Sequence, residues 1–153
     1  MAEKFTSLSK SFGSPVLDKM VERLKSTSDA RRRYEYVLWL AKKLPKLSEE
    51  LRLDSIKVKG CISTVYVLAE LSNGKVYWKG YSDALITKGL LSLLIEGLNN
   101  LTPNEILNID EGFIKETGLN SSLTPSRANG FLNILLNMKS QAKRLSKVTA
   151  STL

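Results

Sequence analysis

The stretch "ISTVYVLAELSNGKVYWKGY", residues 62–81, spells a β-hairpin. β-Branched and aromatic residues dominate "VYVLAEL" and "VYWKGY", which is the make-up of strands. Between them "SNGK" carries the asparagine–glycine pair of a tight two-residue turn, whose central residues both need positive φ. On either side of this hairpin the chain turns to helix.

Upstream, Ser14 and Pro15 form a helix entry, serine to cap free amides and proline to fit the first turn. The apolar spacing of "VLDKMVERLK" then predicts a helix over about 15–25. Ser28 and Asp29 restart the pattern for a second helix over about 29–43, with Tyr34, Val37, Leu38, Ala41 and Leu44 on its inner face and Pro45 as its stop. "KLPKLSEELRLDSIKVKG" has no sustained period and runs over the surface toward the hairpin.

Downstream, Ser82 is placed to cap a helix beginning at Asp83, whose carboxylate would meet the positive end of the helix dipole. "ALITKGLLSLLIEGL", 84–98, is apolar almost all round, which predicts a central helix; Lys88 and Glu96 interrupt it, and it is shorter than a membrane span requires. "TPNEIL" has the Thr102-to-Glu105 spacing of a capping box, Asp110 is placed to cap a short helix ending near Gly118, and Thr124 with Pro125 opens a last long helix.

Helices, hairpin, helices is the order of an α+β domain, with helices packed on a small antiparallel sheet. In 153 residues, 42% of them hydrophobic, one sizeable core is expected rather than two. The expected layout is a flexible N-terminal arm over 1–14, a single domain over 15–145 and a polar tail over 146–153.

Composition also narrows the chemistry. The chain has one cysteine and no histidine. One thiol cannot close an internal disulfide, build a four-thiolate zinc site or hold an iron–sulfur cluster alone, so neither a metal centre nor a cofactor is expected. Without imidazole there is no triad-type activation of a serine or cysteine nucleophile. The start, "MAEKFTSLSKSFGSP", lacks the apolar core of a secretory signal, and Glu3 argues against a transit peptide. A reducing cytoplasm is the expected compartment.

Cys61 stands where the extended lead-in "SIKVKG" passes into the hairpin, a position expected on a loop or strand edge. Gly60 lets the backbone bend there or another chain approach closely. Lys57 and Lys59 place positive charge nearby, which is expected to favour thiolate over thiol. Ile62, Val65 and the neighbouring aromatics are candidates to shelter the sulfur, although Val65 and Val67 read better as core strand residues.

Four blocks in order, "YEYVLWLAKKLPKLSEELR", "KVKGCIS", "YSDALITKGLL" and "LTPSRANGFLNIL", resemble the SufE family of sulfur acceptors, the likeness covering about residues 17–145. The resemblance implies that Cys61 takes the terminal sulfur of a persulfide from a pyridoxal-phosphate-dependent cysteine desulfurase, stimulates that enzyme, and passes the sulfur to an iron–sulfur cluster assembly scaffold. It also implies that Asp83, of "SDA", and Arg127, of "TPSR", lie near the cysteine loop or the partner surface. The family commonly reads GCQSQVW around the nucleophile; here "GCISTVY" keeps Gly60, Cys61 and Ser63 but has Ile62, Thr64 and Tyr66 in place of two glutamines and a tryptophan.

The chemistry suits this composition. Persulfide transfer follows the logic of thiol–disulfide exchange, attack of a thiolate on sulfur, and needs no histidine or metal on the acceptor. A second nearby cysteine could attack the persulfide and release its sulfur, so a solitary thiol is an advantage.

The net charge of +8 favours an acidic partner, whether nucleic acid, an anionic lipid surface or an acidic protein face, and it raises the alternative of a small basic nucleic-acid-binding module using "ARRRYEY" and Lys139, Lys143, Arg144 and Lys147. These cations fit a solvated helix face equally well, and no aromatic platform is evident beside them. Nucleic acid and membrane are therefore not the expected partners.

Overall fold

The computed structural model describes residues 11–152, with side chains as far as Val148. Its sheet is the hairpin: β1 (Val65–Ser72) pairs antiparallel with β2 (Lys75–Ser82), from Val65 opposite Ser82 to Ser72 opposite Lys75. Asn73 at φ 52° and Gly74 at φ 78° form the turn, both in the left-handed region that matches the twist of the strands. Val65, Val67, Val76 and Trp78 face inward and are buried.

A bare two-stranded hairpin is marginal in water. Here both outer edges are occupied. On β1, Gln141 accepts from the amide of Ala69 (3.0 Å) and donates to the carbonyl of Val67 (2.7 Å). On β2, Gly80 exchanges hydrogen bonds with Pro45 and Leu47, and Val76 with Leu101 and Asn100. The loop that the sequence leaves unassigned and the Asn100–Leu101 segment thus cover one edge of the sheet, and a helix side chain meets the other.

The helices before the hairpin are α1 (Pro15–Lys25) and α2 (Ala30–Leu40), the latter tightening into a 3₁₀ turn at Ala41–Lys43. Ser14 caps α1 as expected and also donates to the carbonyl of Gly97 (2.6 Å). Phe12 donates its amide, and Ser11 its hydroxyl, to the Asp18 carboxylate, so the final residues of the predicted arm are tied to α1; residues 1–10 lie outside those described. On α2 the inner face is Val37, Leu40, Ala41 and Leu44, while Tyr34, expected inside, is exposed near the start of the helix.

After the hairpin come α3 (Leu85–Leu98), α4 (Pro103–Leu107), α5 (Phe113–Glu116) and α6 (Pro125–Thr152). α3 is the central element, buried on nearly every side by α1, α2, β2 and α6. It begins two residues later than expected. Ser82 ends β2, Ala84 occupies the cap position, and Asp83 is released for another task. Thr102 and Glu105 make the predicted capping box on α4. The Asp110 carboxylate receives the amide of Gly112 just before α5 instead of sitting at its cap position. Helix α6 continues through residue 152, so the polar stretch from 146 extends that helix. The result is a small antiparallel sheet with helices against it, the α+β arrangement expected.

Candidate functional site

The loop joining Val58 to β1 is held at three points. At its start, the amide of Val58 donates to the carbonyl of Val65 (2.9 Å), placing Lys57 across from Tyr66. In the middle, Gly60 takes φ +81°, and its carbonyl accepts from Asn133 Nδ2 of α6 (2.9 Å). A Cβ on Gly60 would fall 2.5 Å from that nitrogen, so glycine is required both for its backbone angle and for the close approach of α6. At its end, Asp83 Oδ1 accepts from the amide of Thr64 (3.0 Å), and the amide of Asp83 donates to the carbonyl of Thr64 (3.3 Å). Asp83 is therefore a clamp on the cysteine loop and not a helix cap.

Between these clamps Cys61 is half-buried, its Sγ 3.7 Å from the carbonyl of Gly130 on α6. The thiol lines a cavity of about 340 Å³ with Ile62, Ser63, Thr87, Thr124, Ser126, Arg127 and Gly130. Thr87 is only 6% exposed. Its hydroxyl accepts from Arg127 Nη1 and shares a hydrogen bond with Ser63 Oγ, each at 3.3 Å, which links the loop, α3 and α6 around the sulfur. Ile62 stands 85% exposed at the rim, whereas Val65 and Val67 are fully buried in the strand.

Of the residues singled out from sequence, Cys61, Ser63 and Arg127 meet in the cavity, while Gly60 and Asp83 shape the loop that carries the thiol. Lys57 and Lys59 do not line it; both are exposed, with Val58 buried between them. The expectation that they lower the thiol pKa is overturned for the free chain, because burial pushes the Cys61 thiol up. Sequence reasoning singles out Thr124 only as a helix entry, where its hydroxyl does accept from the Arg127 amide, and does not single out Thr87, Ser126, Gly130 or Asn133. All lie within the two helical blocks of the family resemblance, but no local pattern reveals that α3 and α6 converge on Cys61.

The basic segments have structural work of their own. Arg33 holds the carbonyl of Thr27 and the hydroxyl of Ser121, Arg31 pairs with Glu35, and Lys139 bonds the carbonyl of Ile109 and the carboxylate of Glu111. Contrary to expectation, an aromatic pair does stand beside "ARRRYEY": Tyr36 and Trp39 stack at 5.8 Å. Arg23 lies over the Tyr36 ring and Lys43 over the Trp39 ring. Among the described residues no helix is long and apolar enough to cross a membrane, and no cluster of carboxylates and thiol could hold a metal.

The fold and site define a small α+β protein that presents one sheltered thiol on a clamped loop. Residues 18–142 match the SufE family, described as an Fe-S metabolism associated domain, and the chain belongs to that family. It is 52% identical over 128 residues to an uncharacterized SufE-like protein of Synechocystis, covering 84% of this chain and 80% of that one. It is 40% identical to a cysteine desulfuration protein SufE of Plasmodium vivax, over 82% of this chain and 52% of that one, so it spans about half of that relative. The solution structure of a hypothetical protein from Thermus thermophilus matches with a TM-score of 0.74 and 28% identity, covering 86% of this chain and 96% of that one.

Proposed function

We propose that this chain accepts sulfur from a cysteine desulfurase onto Cys61 and delivers it to an iron–sulfur cluster assembly scaffold, stimulating the desulfurase as it unloads it. The observation that carries the reading is the half-buried Cys61 opening into a lined cavity, on a loop clamped by Asp83 and Asn133, in a chain of the SufE family. The names of the Plasmodium relatives, cysteine desulfuration protein SufE, support the same role.

In the transfer, the Cys61 thiolate attacks the terminal sulfur of the donor persulfide. A new S–S bond forms on Cys61 while the donor's S–S bond breaks and its thiolate departs with the electron pair. The chemistry needs no cofactor on the acceptor; the pyridoxal phosphate belongs to the enzyme that makes the persulfide. Ser63, Thr87 and Arg127 are among the polar residues that line the cavity the added sulfur would enter. Burial would slow reaction of the loaded sulfur with solvent oxidants and reductants. Lys57 and Lys59, exposed at the loop's edge, are proposed to meet the partner protein instead of tuning the thiol. The cytoplasm is the proposed compartment, on the argument from an unpaired thiol, although an Arabidopsis relative is named for chloroplast and mitochondrion.

The test is to incubate the chain with a cysteine desulfurase and free cysteine, then weigh the intact protein. Wild type should gain sulfur on Cys61 and accelerate the enzyme, and Cys61→Ser should do neither. Equal acceleration by the serine variant would reduce the role to docking.

A further inference from the structure

The cavity beside Cys61 is larger than one added sulfur fills. One added sulfur occupies roughly the space of a water, about 30 Å³. The cavity measures about 340 Å³, within the range of pockets that take small ligands. Its lining mixes apolar surface with polar side chains. Besides the thiol it is lined by Ser63, Thr87, Thr124 and Ser126, which carry hydroxyls, and by Arg127, which carries a guanidinium. The bond to Thr87 uses one of five N–H donors on Arg127, and no ion pair neutralises that cation among the described residues. A half-buried guanidinium with N–H donors to spare, in a cavity that hydroxyl-bearing residues also line, is matched to a small oxyanion.

We infer that the cavity is a subsite for a small oxyanion carrying a transferable sulfur, so that Cys61 can be loaded from a thiosulfonate-type donor without a partner enzyme. The inference rests on the reading of Cys61 as a sulfur acceptor and adds a second class of donor. With thiosulfate, the Cys61 thiolate attacks the outer sulfur, a Cys61 S–S bond forms, and the bond between the two thiosulfate sulfurs breaks. Sulfite leaves with that electron pair, and the proton of the original thiol passes to solvent. No oxidant or reductant is consumed. Arg127 and the hydroxyls hold the oxygens of the donor and then of the departing sulfite, which aims the outer sulfur at Sγ and offsets the repulsion between thiolate and dianion.

The experiment incubates the reduced full chain with thiosulfate and no desulfurase, following intact mass and released sulfite. The expected result is one sulfur gained and one sulfite released per chain, a rate that saturates with thiosulfate, and no gain by Cys61→Ser. Arg127→Gln should slow thiosulfate loading by about ten- to a hundredfold, the effect of losing one hydrogen bond to a charged group. Arg127→Lys should slow it less, and each variant's thiosulfate rate is divided by its rate of alkylation by neutral iodoacetamide, which corrects for any change in exposure of the thiol. A rate linear in thiosulfate and equal in Arg127→Gln overturns the anion subsite. So does a wild-type chain that desulfurase and cysteine load but thiosulfate does not, which leaves the protein-to-protein transfer standing. A chain that neither donor loads overturns both.

Discussion

Gly60→Ala strikes the cysteine loop where its geometry is tightest. At φ +81° an L-residue is disfavoured by about 1–2 kcal/mol. The new Cβ would lie 2.5 Å from Asn133 Nδ2, so that amide must swing away and give up its hydrogen bond to the Gly60 carbonyl. Losing the bond costs about 1 kcal/mol. The reduced freedom of alanine in the unfolded chain offsets about 0.4–1 kcal/mol, leaving a net loss of about 2 kcal/mol. Because the strain is confined to the loop, most of it should be released by local opening, which raises the open population by up to about thirtyfold. The assay is the iodoacetamide alkylation rate of Cys61 at fixed pH beside urea unfolding of the same chain. Asn133→Ala removes the bond without touching φ and should cost about 1 kcal/mol, and the double variant should cost less than the two singles together because the bond is lost only once. If Gly60→Ala alkylates and unfolds like wild type, α6 does not hold this loop and the account of the site fails.

Four further outcomes follow from the same contacts. Asp83→Ala removes the acceptor for the Thr64 amide and should speed Cys61 alkylation while shifting global stability by no more than about 1 kcal/mol, since the contact is exposed. Gln141→Ala strands the amide of Ala69 and the carbonyl of Val67 and should lower unfolding free energy by about 2–4 kcal/mol in a urea titration. Gly89→Ala, which in an exposed helix would stabilise, should here destabilise by more than about 2 kcal/mol, because its Cβ would fall 2.1 Å from the backbone carbonyl of Val37 and force α2 off α3. Burial raises the Cys61 pKa, so the folded chain holds that proton more tightly than the unfolded one. Its contribution to stability should be fully present below the ordinary thiol range and be lost as pH rises through the raised value, and alkylation should keep climbing with pH after a free cysteine has levelled off.

How much was legible in the sequence depended on how far apart the cooperating residues lie. The hairpin and the caps at Ser14 and Thr102 are written in neighbours a few positions apart, and each forms as read. Asp83 shows where such reading fails. A carboxylate just before an apolar helix fits a cap, but the amide it finds belongs to Thr64, across the hairpin, and only the strand pairing that sets Val65 opposite Ser82 brings the two together. The thiol is the sharper case. Lys57 and Lys59 are near Cys61 in sequence, yet the strand-like alternation that buries Val58 turns both lysines outward. What surrounds the sulfur comes instead from Gly130 and Arg127 on α6 and Thr87 on α3, and the raised pKa follows from burial, which opposes the thiolate. Nearness along the chain therefore gave the wrong sign for the acidity of the group that the family resemblance singles out as the nucleophile. A half-buried thiol with a raised pKa is slow toward small reagents in free solution, so the proposed transfer requires a donor that is held in place, and the cavity walled by α3 and α6 is where the chain can hold one.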